Sequence, residues 1–232
     1  MDKGKDDMAP NPNASMIELL RGVQKFDREV YPEHQELFES LASSQSPSTL
    51  FITCSDSRIN PNLITQTKPG ELFIVRNVGN IVPPYGDMLG AVSSAIEYSV
   101  LVLKVRNIVV CGHSNCGAMN ALCDLSSDKF KTMPTVRRWL GAAEAALAAV
   151  GPLEATDVGP ATIRDLAERN VLLQLTHLRT HPAVAGALAR GDLAISGWFY
   201  DIAEGKITVL DEKTRHTCTV EEALVTLQAE ES

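Results

Sequence analysis

Two short segments of the chain carry the residue types that bind transition metals. Cys54 opens the segment Cys-Ser-Asp-Ser-Arg, and His113 and Cys116 lie together in His-Ser-Asn-Cys. Zinc takes thiolate and imidazole ligands in tetrahedral sites, and a set of three protein ligands leaves a fourth position for water, as in catalytic sites. Cys54, His113 and Cys116 therefore predict a catalytic Zn²⁺ site.

Asp56 and Arg58 lie beside the first of these cysteines. A carboxylate so near to a metal could take the fourth position itself and close the site. Arg58 can instead hold Asp56 by two parallel hydrogen bonds and keep it ionised, free to orient a water molecule. Taken singly, Asp-x-Arg is most often a surface ion pair, and a cysteine after a strand is most often a core residue. The two segments together favour a metal centre.

Apolar, β-branched segments precede both loops. Residues 49–53 and 107–111 predict buried strands that end just before Cys54 and His113, and residues 72–75 predict another strand. A mostly apolar helical pattern at residues 88–104 separates them. We therefore predict an α/β fold with a mainly parallel central sheet flanked by helices. Ligands of such sheets bind at the carboxyl ends of strands, where the two loops can meet.

The regions on either side of this sheet predict a helical arm and an antiparallel extension. Ser15 and Glu18 have the spacing of a capping box and begin a helical pattern, which indicates an N-terminal helical arm. Residues 142–150 and 161–180 predict helices, and residues 193–200 and 206–210 predict a C-terminal β-hairpin. We expect a mobile tail over residues 1–14 and a single domain over residues 15–232.

Composition narrows the class of partner. The chain has 232 residues, a formal net charge of -8, 44% hydrophobic and 22% charged residues. This acidic balance argues against nucleic acid or an anionic membrane as a partner, since both are bound through Lys and Arg. The polar start has no apolar core of the signal-peptide kind, and five cysteines are an odd count for a disulfide framework. We therefore expect reduced thiols and a cytoplasmic location.

Three segments in order resemble the signature loops of the β-class carbonic anhydrases. They are Cys-Ser-Asp-Ser-Arg from Cys54, Arg-Asn-Val-Gly-Asn from Arg76, and Gly-His-Ser-Asn-Cys-Gly from Gly112. The resemblance extends from about Ile17 to Leu210. It implies reversible hydration of carbon dioxide to bicarbonate, with zinc on Cys54, His113 and Cys116 and with Asp56 and Arg58 as a catalytic dyad. It also implies a homodimer with active sites at the subunit interface, or an assembly of dimers such as a tetramer or octamer.

Within that family the chain resembles the plant-like branch, which includes bacterial members associated with cyanate breakdown. The resemblance implies that Gln45 offers its amide to bicarbonate and that an apolar pocket receives carbon dioxide. Phe51 stands where the other branch, which can close zinc with the aspartate, has a tryptophan. We therefore expect an open site with water as fourth ligand. The substrate-binding residues implied in this way are Gln45, Phe73, Val78, Tyr98 and Gly117.

Two alternatives to carbon dioxide hydration stay open at this point. The same type of site could hydrolyse carbon disulfide or carbonyl sulfide, which would need a changed entrance rather than changed ligands. The chain could also be a structural or regulatory zinc protein. The Asp56–Arg58 pair argues against that reading, because a purely structural site has no use for an ionised carboxylate that does not bind the metal.

Overall fold

The structure, a computed structural model, describes residues 11–87, 90–153, 157–212 and 214–230. Internal contacts divide the chain into two compact units, Met1–Gln45 and Ser46–Ser232. Most of the predicted tail lies outside the described residues, and the single domain over residues 15–232 stays a prediction. In the described ranges, no helix is both long and apolar enough to cross a membrane.

The N-terminal unit is helical, as the predicted arm requires. The capping box at Ser15 is wrong: the helix begins at Pro12, because the Asn11 side chain accepts a hydrogen bond from the backbone N–H of Asn13. Pro12 has no N–H to satisfy and suits a first helical position. The helical segments of this unit are α1 (Pro12–Lys25), a π-helical turn (Phe26–Val30), α2 (Tyr31–Glu33) and α3 (Gln35–Leu41).

The second unit contains a six-stranded sheet. Its strands are β1 (Thr49–Cys54), β2 (Leu72–Asn77), β3 (Asn107–His113), β4 (Ala194–Asp201), β5 (Lys206–Leu210) and β6 (Thr217–Thr219), in the order β2-β1-β3-β4-β5-β6. The first four strands in this order are parallel, and the last two pair antiparallel, which confirms the predicted sheet and extension. The strand after residue 71 is not buried, because it lies at the sheet edge and its residues stay partly exposed. The sixth strand was not predicted.

Helices pack against this sheet and against one another. The predicted helix at residues 161–180 is present as α9 (Pro160–Leu178), and Pro182 begins a further helix that was not predicted. Short helices after residues 60, 116 and 133 were not predicted. The helices of this unit are α4 (Pro61–Thr65), α5 (Ala91–Leu101), α6 (Gly117–Leu122), α7 (Pro134–Leu140), α8 (Glu144–Val150), α9 (Pro160–Leu178), α10 (Pro182–Ala189) and α11 (Val220–Glu230).

The largest core cluster joins one face of the sheet to α5, α9 and α10. Leu50 and Ile52 of β1 lie in it with Val171 and Leu175 of α9. The opposite face of the sheet carries Phe51, whose ring contacts that of Trp198. This alternation along β1 follows from the period of two in a strand, and it specifies the register of the sheet.

Gly197 of β4 lets α9 approach the sheet closely. A Cβ atom at this position would lie 2.8 Å from Val171 Cγ1 and 3.0 Å from Leu175 Cδ1. We expect Gly197→Ala to lower the free energy of unfolding by about 1–3 kcal/mol, the usual cost of overpacking a core, as measured by chemical denaturation. Gly186→Ala in α10 is the control, because its nearest neighbour is the flexible end of Arg190. Equal stability of the two variants would contradict close packing at Gly197.

Candidate metal centre

Three potential ligand atoms converge where β1 and β3 end. β1 ends at Cys54 and β3 ends at His113, and the two strands are parallel neighbours in register. Cys116 follows His113 by one tight turn, in which Asn115 has a φ of +50°. The three ligand atoms all lie within 4.8 Å of one another, and all three residues are buried. The structure thus brings together the set that the sequence predicted as ligands.

The imidazole of His113 is oriented for binding through Nε2. Its Nδ1 lies 2.9 Å from the carbonyl oxygen of Ser114, and because a carbonyl only accepts, Nδ1 carries the hydrogen. Nε2 is buried and has no hydrogen-bond partner among the described residues. An unpartnered buried nitrogen is costly, and a metal ion would remove that cost. This nitrogen and two nearby thiols fit a zinc ion.

The two thiols depend on each other electrostatically. A hydrogen bond from Cys116 lowers the pKa of Cys54 to about 4, helped by His113 and by the backbone N–H groups of Gly79 and Asp56. The same contact with Cys54, together with burial, raises the pKa of Cys116. Loss of the first thiol proton is therefore favoured and loss of the second is opposed, and a divalent cation would favour loss of both.

Asp56 is held by Arg58 beside this centre. Arg58 Nε donates to Oδ1 at 2.9 Å and Nη2 donates to Oδ2 at 2.7 Å, and the backbone N–H of Arg58 donates to Oδ1 at 3.0 Å. These bonds from Arg58 keep the pKa of Asp56 well below its usual range. Oδ2 lies 3.9 Å from His113 Nε2. The carboxylate is therefore ionised, adjacent to the predicted ligands and already engaged by the guanidinium.

Arg76 stabilises the loop that follows β1 and contains Asp56. The sequence alone did not predict a separate role for this residue. Its Nε donates to the carbonyl oxygen of Cys54 at 3.1 Å, and its Nη2 donates to that of Asp56 at 2.6 Å. Arg58 Nη2 also donates to the carbonyl oxygen of Asn115 at 3.2 Å, which ties the two loops together. In the sequence, the one indication of this role is that Arg76 is a charged residue near the end of an otherwise apolar strand.

Within one chain, the Phe73 and Tyr98 part of the predicted pocket lies at another level of the sheet from Cys54. The Phe73 and Tyr98 rings contact each other, with centroids 6.1 Å apart. In the sheet register Phe73 pairs with Leu50, whereas Cys54 pairs with Asn77. These two pairs are four residues apart along the strands, which corresponds to a distance of about 13 Å.

The remaining predicted pocket residues occupy different places. Val78 is exposed and follows β2, and Gly117 is exposed as the first residue of α6, next to Cys116. Gln45 is an exposed residue at the end of the N-terminal unit. The roles of all five pocket residues in substrate binding stay predictions.

The fold and this site define a class before any relative is considered. The chain is an α/β protein whose parallel strands carry a two-thiol, one-imidazole cluster at their carboxyl ends, beside an arginine-held carboxylate. This arrangement is typical of a catalytic rather than a closed structural metal site, because three ligands would leave one position of a tetrahedral ion open.

Comparison with known proteins identifies the family. The family model for carbonic anhydrase matches residues 49–207. A carbonic anhydrase of Pseudomonas aeruginosa is 47% identical over 207 residues, which cover 89% of this chain and 93% of that protein. The solved β-carbonic anhydrase CcaA superposes with a TM-score of 0.85 at 41% identity, over 89% of this chain and 92% of that one. A tetrameric β-carbonic anhydrase of Sordaria macrospora superposes with a TM-score of 0.71 at 28% identity, over 85% and 97% of the two chains.

The chain belongs to the β-class carbonic anhydrase family, and it is accordingly an enzyme whose general activity is carbon dioxide hydration.

Proposed function

We propose that the chain catalyses the zinc-dependent, reversible hydration of carbon dioxide to bicarbonate and a proton. The observation that carries the proposal is the convergence of Cys54, His113 and Cys116, with His113 Nε2 buried and unpartnered. These three side chains would hold Zn²⁺. When bound, zinc supplies a Lewis acid that lowers the pKa of water and so yields a nucleophile near neutral pH.

Asp56 and Arg58 supply orientation in this proposal. Asp56 accepts a hydrogen bond from the attacking water and directs an oxygen lone pair at the carbon of carbon dioxide. Arg58 keeps the carboxylate ionised and engages both of its oxygens, so that Asp56 acts on water instead of joining the ligands. A carbon–oxygen bond forms, bicarbonate leaves, and one proton passes to buffer. These contacts support the open form of the site, and membership of the plant-like branch stays a prediction.

We further propose that two copies of the chain complete each site. Phe73 lies about 13 Å along the sheet from the level of Cys54, and its ring contacts that of Tyr98 on α5, which supports a pocket shared with a partner subunit. In the N-terminal unit no described residue is buried, and α1 exposes Met16, Leu19, Leu20 and Val23. An apolar helix face of this kind is typical of a subunit interface. The tetramer described for the Sordaria macrospora relative is consistent with an even-numbered assembly.

No specific observation on the described residues favours carbon disulfide or carbonyl sulfide as the substrate, so carbon dioxide is the one we propose. We also propose a cytoplasmic location. The thiol ligands need a reducing environment, and all five cysteines are free. Fractionation of cells that express the chain tests the location, and recovery outside the cytoplasm would contradict it.

Zinc content tests the ligand set. The purified chain should hold about one zinc ion, and Cys116→Ser should lose both the metal and hydration activity, because two ligands bind zinc far more weakly than three. Metal analysis and a stopped-flow hydration assay measure the two properties. Cys123→Ser is the control, since this thiol lies outside the cluster. Full zinc content and activity in Cys116→Ser would remove Cys116 from the site.

Asp56→Asn tests the orienting carboxylate. The substitution keeps the size of the side chain and removes its charge, so we expect zinc to be retained and hydration to slow roughly 10- to 100-fold, the scale for residues that support a metal site. Asp192→Asn is a matched control, because Asp192 also pairs with a nearby arginine but is exposed and remote in sequence. Normal hydration by a zinc-loaded Asp56→Asn chain would refute the proposed role.

Co-expression of two inactive variants tests the shared site. One variant carries Cys116→Ser, and the other carries Phe73→Ala with Tyr98→Ala. If each dimer has two shared sites, a mixed dimer has one site with both the metal ligands and the pocket intact. Equal co-expression makes about half of the dimers mixed, so about a quarter of wild-type hydration activity should be restored. Each variant expressed alone is the control. If the pocket lies within one chain, co-expression will restore nothing.

A further inference from the structure

The loop of residues 78–83 contacts both cysteine segments of the metal centre. Asn77, which directly precedes Val78, lies opposite Cys54 in the sheet, and its carbonyl oxygen accepts a hydrogen bond at 2.8 Å from the N–H of the residue after Cys54. The backbone N–H of Gly79 lies near the Cys54 sulfur and helps to lower the pKa of that thiol. A Cβ atom on Gly79 would lie 2.9 Å from the Cβ of Ala118 in α6, the helix that begins just after Cys116. Gly79 therefore packs between the segment of Cys54 and the segment of Cys116. A shift of this loop would move the Gly79 N–H away from Cys54.

The backbone of this loop is in a conformation that needs support. Gly79 has a φ of +80° and the next residue, Asn80, has a φ of +47°. Two consecutive residues in the left-handed region are uncommon, and the second is not glycine. Such conformations persist where the surroundings hold them.

One face of α9 provides that support through side-chain amides. Asn170 Nδ2 donates to the carbonyl oxygen of Gly79 at 3.0 Å, and Gln174 Nε2 donates to Asn170 Oδ1 at 2.7 Å. The backbone N–H of Val82 donates to Gln174 Oε1 at 2.8 Å, and His177 Nδ1 donates to the Val82 carbonyl oxygen at 2.8 Å. The spacing of residues 170, 174 and 177 places them on one face of the helix. We call Asn170, Gln174 and His177 the α9 ladder.

The two amides of the α9 ladder are buried completely, at 0% exposure. Val171 and Leu175, their neighbours on α9, belong to the apolar core. A buried amide is unfavourable unless its donors and acceptors are paired, and each amide here bonds at both its nitrogen and its oxygen. The bonding also determines the orientation of both amides, because a flipped Asn170 would turn its oxygen toward the Gly79 carbonyl.

We propose that Asn170 and Gln174 are positioning residues of the metal centre, which hold the loop of residues 78–83 in place beside Cys54 and α6. Neither residue touches a predicted ligand, so both act through the loop backbone. The proposal rests on the proposed zinc function where it concerns metal retention. The placement of Gly79 is a separate consequence that does not require zinc.

Two variants of the α9 ladder test the proposal in the full chain as purified. Gln174→Met keeps a side chain of similar length and leaves Val82 N–H and Asn170 Oδ1 without this partner. Asn170→Asp keeps its size and loses the donor to Gly79. Two properties are measured: amide hydrogen exchange of Gly79 by NMR, and zinc release to an excess of chelator. We expect both to be accelerated about 10-fold or more, the scale for residues that support a metal site.

Leu178→Ala is the matched control for general loss of stability. Leu178 is buried on the same helix and belongs to the apolar core, outside the α9 ladder. At an equal decrease in Tm it should leave Gly79 exchange and zinc release closer to wild type than either ladder variant does. Equal acceleration in Leu178→Ala would show that the amides stabilise the fold only, and would overturn the proposal.

Gln174→Glu is a further variant, to be used if Gln174→Met does not fold. It keeps the acceptor for Val82 N–H and loses only the donor to Asn170, so we expect an effect in the same direction as Gln174→Met but smaller. The proposal would also be overturned if the Gly79 amide hydrogen exchanged as slowly as in wild type in every ladder variant that folds. A wild-type chain that binds no zinc would contradict the proposed function instead, and Gly79 exchange would still decide the role of the α9 ladder.

Discussion

The parallel register of β1 against β3 determines where the metal centre lies. Thr53 pairs with Cys111, and the Thr53 hydroxyl donates to the Cys111 carbonyl oxygen at 2.9 Å. Because side chains alternate along a strand, a slip of one residue would turn Cys54 to the other face and separate it from His113. The apolar residues Leu50, Ile52 and Phe51 prevent that slip, since it would exchange the two faces on which they pack.

Two thiols and an imidazole are buried together, and burial makes a charged thiolate unfavourable. The backbone N–H groups around the cluster reduce that cost. Cys54 is stabilised as a thiolate by the Cys116 thiol and by nearby backbone N–H groups, whereas His113 Nε2 has no hydrogen-bond partner among the described residues. The cluster therefore has an excess of acceptors, which is the condition that favours a cation. Its support comes mostly from backbone groups of loops, and these loops are in turn held by Arg76 and the α9 ladder.

The Asp56–Arg58 pair holds a carboxylate beside the predicted ligands without leaving it free to join them. Both oxygens of Asp56 accept hydrogen bonds from Arg58, so the carboxylate remains ionised beside the ligand set. Release of Asp56 toward the metal would break a bidentate pair of charge-assisted bonds. The local geometry thus supports the open form that we propose, whereas the proposed apolar pocket requires residues at another level of the sheet.

Much of the site could be predicted because its chemistry lies in adjacent residues. The ligand types, the Asp56–Arg58 spacing and the apolar strands before Cys54 and His113 are all local features, and a buried parallel strand has a recognisable composition. The hairpin after residue 193 was predicted for the same reason. The start of α1 was not, because a cap at Asn11 and one at Ser15 are both compatible with the local sequence, and the helix took the earlier one.

The sequence by itself therefore determined the donor set, the dyad and the order of the main strands. Only the tertiary structure decided that β2 lies at the sheet edge, that Phe73 lies away from Cys54, and that Asn170 bonds to Gly79. The last contact joins residues 91 positions apart. Such contacts depend on how α9 packs against the sheet, which is a property of many apolar residues together and leaves no pattern near either partner.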